Sequence, residues 1–110
     1  MANRLDPQQA DAALSKVQGW TLAGDEISRK LAFADFVDAM IFVNKVAEIA
    51  EEEGHHPEIN IVYNRVTLTL TTHDAGGLTA KDFQVARRID ELGTQYRAAY
   101  IRSGNKKPAR

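Results

Sequence analysis

The sequence predicts one α+β domain of order α-β-β-α-β-β-α, a four-stranded antiparallel sheet with its helices packed on one face. Three observations carry that expectation. Two pairs of short apolar runs with period-2 alternation are each joined by a tight turn, helical-period segments precede, separate and follow the pairs, and glycines fall at the boundaries. At 110 residues and 44% hydrophobic content, residues 1–110 read as a single domain, small enough that self-association would help it.

The elements follow in order. Asp6-Pro7-Gln8-Gln9 reads as a helix start, with Asp6 as N-cap, Pro7 at the first helical position and Gln9 completing a capping box, and Gly19 is the expected stop. Trp20 and Leu22 alternate with polar neighbours, Gly24-Asp25 turns the chain, and Ile27, Arg29 and Leu31 alternate on the return. From about Ala34 to Glu53 a long helix is expected on the spacing of Phe36, Val37, Met40, Ile41, Val43, Ala47 and Ala50, ended by Gly54 at C′.

The second hairpin is expected to turn at Asn64-Arg65, pairing Tyr63 with Val66. That register sets Ile61 opposite Leu68, Ile59 opposite Leu70, Glu58 opposite Thr71 and, continuing outward, His56 opposite His73. The aliphatic residues and Tyr63 then share one face, while Asn60, Thr67, Thr69, Thr71, His56 and His73 share the other. Gly76-Gly77 forms a loop, and Thr79 caps a last helix with Phe83, Ala86, Ile89, Gly93 and Tyr96 on one stripe. Trp20 and Tyr63 are expected in the core, and residues 103–110 as a flexible tail.

Composition narrows the function. A net charge of −1 supplies no field for nucleic acid or an anionic membrane, and the basic Lys106, Lys107 and Arg110 read as a solvated terminus. With no cysteine, a disulfide framework, a thiolate metal site and a thiol nucleophile all drop out. No apolar stretch before Trp20 suggests a secretory leader or a membrane span, so a cytoplasmic location is expected. There is no Gly-rich phosphate loop, Ser-His-Asp set or basic-aromatic stripe.

What remains is the histidines. His55, His56 and His73 are the only three in the chain, and the expected register gathers them at one hairpin end. Glu51, Glu52 and Glu53 close the main helix where its dipole disfavours anions. For Glu52 and Glu53 the plain reading is a solvated helix end, whereas Glu51 could turn back toward the histidines, where a carboxylate favours the imidazolium form. Imidazoles supply both proton donor and acceptor near neutral pH. A small zinc hydrolase is the competing chemistry, but adjacent residues on extended backbone point to opposite sides and no H-E-x-x-H spacing is present. Asp82, three residues after Thr79, fits the acidic position of a capping arrangement.

The string from Glu51 to Asp82, E-x-x-x-H-H-P-E-x-x-x-V-Y-N-x-V-x-x-T-L-x-T-H-x-x-x-G-L-x-x-x-D, resembles the pterin-4a-carbinolamine dehydratase family, as do Gly19-Trp20 and the pair Phe33 and Phe36. The resemblance implies a lyase that removes water from 4a-hydroxytetrahydropterin to give the quinonoid dihydropterin, recycling the cofactor of aromatic amino-acid hydroxylases, with no metal or organic cofactor of its own. It implies His55, His56, His73 and Glu51 as catalytic residues, and His55, His56, Pro57, Thr72, His73, Asp74 and Asp82 as substrate-binding ones. The opposed pair His56 and His73 would transfer protons directly, with His55 as a further acid or base and Glu51 holding or tuning them. Homodimers or homotetramers are implied, with a hydroxylase as pathway partner. The alternative is a binding module, a dimerisation partner or coactivator of transcription factors acting through helix surfaces.

Overall fold

The computed structural model describes residues 3–92. In order the chain forms α1 (Pro7–Leu14), β1 (Thr21–Ala23), β2 (Glu26–Ala32), α2 (Phe36–Glu53), β3 (Glu58–Val62), β4 (Arg65–Leu70) and a 3-10 turn (His73–Ala75). A third helix, α3, occupies residues 80–92. The four strands make one antiparallel sheet in the order β1-β2-β4-β3. This is the α+β architecture expected from the sequence. Gly93, Tyr96 and the tail 103–110 lie outside the described residues.

Alternation along β4 decides where the core sits. Val66, Leu68 and Leu70 are fully buried, while Thr67 and Thr69 between them stay half-buried on the other face. Above the apolar face lie Phe42 and Val46 of α2 and Phe83, Val85, Ala86 and Ile89 of α3, in one cluster with Ile27 of β2. Burying an aliphatic or aromatic side chain of this size stabilises by about 1.5–3 kcal/mol, against about 1 kcal/mol for a helix cap. The seam therefore holds the layers together, and the caps set where the helices begin and end.

Those caps are largely as the sequence implies. Asp6 accepts from the Gln9 amide at 2.8 Å while the Asp6 amide donates to Gln9 Oε1 at 2.9 Å. Asp35 caps α2 through the Asp38 amide at 2.9 Å. A second device ties α3 to the first hairpin: Asp90 accepts from Arg29 Nη1 at 2.5 Å, Trp20 Nε1 at 2.8 Å and the Gln18 amide at 2.9 Å. Trp20 is thus a core residue with its polar edge satisfied.

Four expectations need correction. Helix α1 ends at Leu14, well before Gly19. Ser15 Oγ donates to the Ala12 carbonyl at 2.7 Å, and Asp90 captures the Gln18 amide, so the backbone leaves the helix early. In α2 the core stripe is Ala39, Phe42, Val43, Val46, Ile49 and Ala50, whereas Phe36, Val37 and Ile41 are exposed. Phe33, whose ring centroid lies 5.0 Å from that of Phe42, fills the place that the sequence reading gave to Phe36.

The second hairpin turns at Tyr63-Asn64 and not at Asn64-Arg65. Val62 pairs with Arg65, Ile61 with Val66, Ile59 with Leu68 and Glu58 with Thr69. The cause is tertiary: Asn64 Nδ2 donates to the Phe33 carbonyl at 2.7 Å and the Phe33 amide donates to the Asn64 carbonyl at 2.9 Å. Asn64 is thereby locked to the loop before α2, and Tyr63 takes the left-handed conformation with φ 53°. That conformation costs a non-glycine residue about 1–2 kcal/mol. Tyr63 is also exposed and not in the core. A shift of two residues keeps every side chain on its expected face but separates the two histidines that the longer register opposed.

Candidate active site

Helix α2 ends in a Schellman motif that aims the first two histidines. Gly54 takes the left-handed conformation with φ 63° and ψ 32°, its amide donating to the Glu51 and Ala50 carbonyls. The His55 amide donates to the Ala50 carbonyl at 3.1 Å. This reversal folds His55 back under the helix end. There its Nε2 lies 2.5 Å from Asp82 Oδ1. The His55 side chain is 14% exposed and that of Asp82 0%.

Asp82 is held from three sides. Its Oδ2 accepts from the Thr79 amide at 2.9 Å and from Thr72 Oγ1 at 2.7 Å. Thr72 Oγ1 in turn lies 3.0 Å from Thr79 Oγ1, which accepts the Lys81 amide at 3.3 Å. The capping role expected of Asp82 is therefore present, and the same carboxylate also binds His55. Thr72 is placed by an antiparallel bridge to Gly77, with the Thr72 amide donating to the Gly77 carbonyl at 3.1 Å. Gly76, with φ 76°, closes the intervening 3-10 turn.

His55 and Thr72 face an open cleft of about 730 Å³ whose walls also include Arg4, Asp74 and Lys81. A pocket for a small ligand runs to about 300–1,000 Å³, so a bicyclic heterocycle fits. Leu5 donates its amide to the Leu78 carbonyl at 2.8 Å, which anchors the N-terminal segment beside the cleft. Substituting Gly77 would drive a Cβ to 2.8 Å from Arg4 Nε, so the glycine lets the guanidinium lie against the backbone.

The remaining residues expected at the site distribute around this cleft. His56 Nε2 lies 2.6 Å from Glu51 Oε2, on the exposed end of α2. Glu51 does turn back across the helix stop, but it meets His56 and not His55. Pro57 follows, half-buried, and leads into β3. His73 opens the 3-10 turn between Thr72 and Asp74 and is exposed. It does not stand across the ladder from His56, because β4 ends at Leu70 and the chain turns away through the Thr72–Gly77 bridge.

Glu52 and Glu53 are not simply solvated. Arg88 donates to Glu53 Oε2 at 3.0 Å and to Glu52 Oε1 at 2.7 Å, and Gln84 donates to Glu53 Oε1 at 2.8 Å. Lys81 Nζ lies 3.7 Å from Glu53. The hydrogen bonds to Glu52, and next to Glu53, push the Arg88 guanidinium further above its ordinary value. The acidic run thus clamps α2 to α3 and keeps Gly54 and Asp82 in fixed relation. Arg4 and Lys81 are the cleft residues that sequence reasoning missed. Arg4 carried no periodic signal, and Lys81 read only as a first-turn position of a helix.

Among the described residues, no three His, Cys, Asp or Glu side chains come together to hold a metal ion. None of the described helices is long and apolar enough to cross a membrane. Fold and cleft define a small α+β protein with a buried histidine–carboxylate pair in the wall of a ligand-sized opening.

The particular family follows from comparison. Residues 3–92 match the family described as pterin 4 alpha carbinolamine dehydratase, and the chain belongs to it. A protein of Trichormus variabilis, provisionally named a pterin-4-alpha-carbinolamine dehydratase, is 51% identical over 92 residues, covering 84% of this chain and 99% of the relative. One of Acidobacterium capsulatum with the same provisional name is 55% identical over 89 residues, covering 81% and 97%. The crystal structure of a transcriptional coactivator/pterin dehydratase from Brucella melitensis is similar with a TM-score of 0.78 and 37% identity, over 82% of this chain and 98% of that one. A pterin dehydratase-like protein identified as a RuBisCO assembly factor in the alpha-carboxysome aligns with a TM-score of 0.58 and 27% identity, over 68% and 89%.

Proposed function

We propose that the chain dehydrates 4a-hydroxytetrahydropterin to the quinonoid dihydropterin. The observation that carries this reading is His55, fixed by Asp82 in the wall of a 730 Å³ cleft, in a member of the family. The reaction breaks the C4a–O bond. A general acid protonates the departing hydroxyl, which leaves as water, the N5 lone pair forms the C4a–N5 double bond, and a base takes the N5 proton. Imidazoles serve both roles, and positioned proton transfer is worth about 10²- to 10⁴-fold.

In this reading His55, His56 and His73 exchange the protons, Glu51 holds His56, and Pro57, Thr72, His73 and Asp74 contact the pterin. Of the three histidines, His55 is the one that lines this cleft. His56 and His73 each adjoin a cleft residue in sequence and would swing toward the bound ring from exposed positions. The product would be returned as the cofactor of an aromatic amino-acid hydroxylase, and a chain without cysteine suits the cytoplasm. The test is the rate at which purified protein removes the 4a-hydroxyl absorbance. An acceleration over the spontaneous reaction, lost in the double variant H55A/H56A, is expected; no acceleration by the intact chain sinks the reading.

A second reading has its own support. Phe36, Val37 and Ile41 leave an apolar stripe exposed on α2, and Val62 and Tyr63 are exposed at the hairpin tip. A homodimer or homotetramer, or a coactivator-like complex with another protein, would cover such residues. Introducing a charge with I41E should lower the molar mass in light scattering if they mediate association, and should leave the dehydration rate per cleft unchanged.

A further inference from the structure

We infer that Arg4 is a specificity-determining residue of the cleft, favouring pterins whose side chain ends in an anionic oxygen group, a phosphate or a carboxylate. This rests on the dehydratase reading for the ring and goes beyond it for what the ring carries.

The chain as a whole is weakly acidic, with a net charge of −1, but the wall of the cleft is not. His55 aside, its charged side chains among the described residues are Arg4, Lys81 and Asp74, two cations against one carboxylate. At about 730 Å³ the cleft lies toward the upper end of the range of about 300–1,000 Å³ that small-ligand pockets span, so a bicyclic ring leaves room for a substituent. That substituent meets a wall with a positive excess.

Arg4 is anchored by its stem and loosely held at its tip. The Leu5 amide donates to the Leu78 carbonyl at 2.8 Å and the capping box begins at Asp6, so the backbone that follows Arg4 is fixed. The side chain lies against Gly77, where a Cβ would stand 2.8 Å from Nε and 3.3 Å from Cδ. Gly77 in turn is bridged to Thr72, which lines the cleft. At the tip, Nη2 lies 3.2 Å from Asp25 Oδ1, longer than the about 2.7–2.9 Å of a strong charge-assisted hydrogen bond, and both side chains are more than half exposed. Water and salt compete with such a pair, and it contributes little. Lys81 is held no more tightly: its Nζ lies 3.7 Å from Glu53 Oε1, and Glu53 already accepts from Gln84 and Arg88.

A phosphate or carboxylate offers the guanidinium two oxygens in the plane of its fork, which a hydroxyl does not, nor does the one oxygen that Asp25 presents to it. The anion would therefore draw Arg4 off Asp25, whose own place is kept by the Thr71 hydroxyl donating to its backbone carbonyl at 2.6 Å.

The test compares 7,8-dihydroneopterin with its 3′-monophosphate, which share ring and carbon chain and differ by one phosphoryl group, in isothermal titration calorimetry of the wild type, R4Q and D25N. The wild type should bind the monophosphate at least about tenfold more tightly. In R4Q that ratio should collapse to about threefold or less. D25N removes the competing carboxylate, so there the ratio should rise about two- to fivefold. The opposite movement of the two variants is what a merely structural Arg4–Asp25 strap would not give, since cutting it from either end would act on both ligands alike. Pterin-6-carboxylate against 6-hydroxymethylpterin repeats the comparison for a carboxylate, and a preference in one arm alone assigns the site to that oxyanion. Equal affinity for charged and neutral forms in both arms overturns the proposal and leaves the dehydratase reading standing. A preference that R4Q leaves intact, or one that D25N lowers as R4Q does, overturns it too. If none of the four pterins binds, the dehydratase reading falls and the role of Arg4 falls with it.

Discussion

His55 and His56 are neighbours in sequence and each meets a carboxylate, at 2.5 Å and 2.6 Å, yet the two pairs belong to different physical regimes. The first pairs a side chain 14% exposed with one that is fully buried. The second pairs side chains 59% and 78% exposed. In the buried pair water cannot replace a lost partner, so removal of either member strands the other. In the exposed pair water and salt compete with the contact, and such pairs contribute about 0–1 kcal/mol. One pair is therefore built to hold a ring still, and the other leaves its ring free to move.

The sharpest way to test that contrast is H55A. Asp82 would be left buried without its histidine partner, at a cost of roughly 3 kcal/mol. Calorimetry should show a fall in Tm on the order of 15 °C, with kcat/KM down by about 10²- to 10⁴-fold. An unchanged Tm would mean that the buried pair is not a structural element at all. H56A should separate the two effects. It should lose activity on the order of 10²-fold with Tm unchanged within about 2 °C. Comparable destabilisation by the two variants would mean that the buried and the exposed pair do not differ in kind.

The sequence showed part of this contrast. Element order, the caps at Asp6 and Thr79, the glycine stop at residue 54 and both faces of β4 follow from local chemistry, and each is present. The residues near the cleft were legible too, since His55, Thr72 and Asp82 stand within a resemblance that spans Glu51 to Asp82. Which histidine meets which carboxylate was not legible. That depends on the Schellman reversal after α2 and on a hairpin register set by Asn64 binding the Phe33 carbonyl, a partner 31 positions away. The phase of α2 was hidden for a related reason: the helix carries two apolar stripes, and only packing against β4 decides that Phe42 and Val46 go in while Val37 and Ile41 stay out.

The acidic run repeats the comparison on a smaller scale. Glu53 accepts from both Gln84 and Arg88 beneath the helix end, with a side chain 12% exposed, whereas among the described residues Glu52 meets Arg88 alone and is 62% exposed. E53A should lower Tm by an amount on the order of 5 °C, and E52A by no more than about 2 °C. Because Glu53 also fixes α2 against α3, E53A should loosen the geometry between His55 and Asp82. A broader His55 imidazole resonance in E53A, absent in E52A, would show that the clamp serves the buried pair. Equal effects of the two would reduce the run to the solvated helix end that its composition suggests.

The smallest effect is expected at Glu51. E51Q keeps a hydrogen-bond acceptor for His56 and removes only the charge, so stability should be unaltered within about 1 kcal/mol and the rate within about fivefold. The informative quantity is salt dependence. An exposed charge pair is screened as the Debye length shrinks from about 10 Å at 0.1 M salt to 3 Å at 1 M. The wild-type rate should therefore approach that of E51Q as salt is raised, while the activity lost in H55A is not restored, because the Asp82 carboxylate that it strands is buried beyond the reach of ions. Parallel salt profiles for the wild type and E51Q would mean that Glu51 acts by shape alone, and the electrostatic half of the contrast would rest on Asp82.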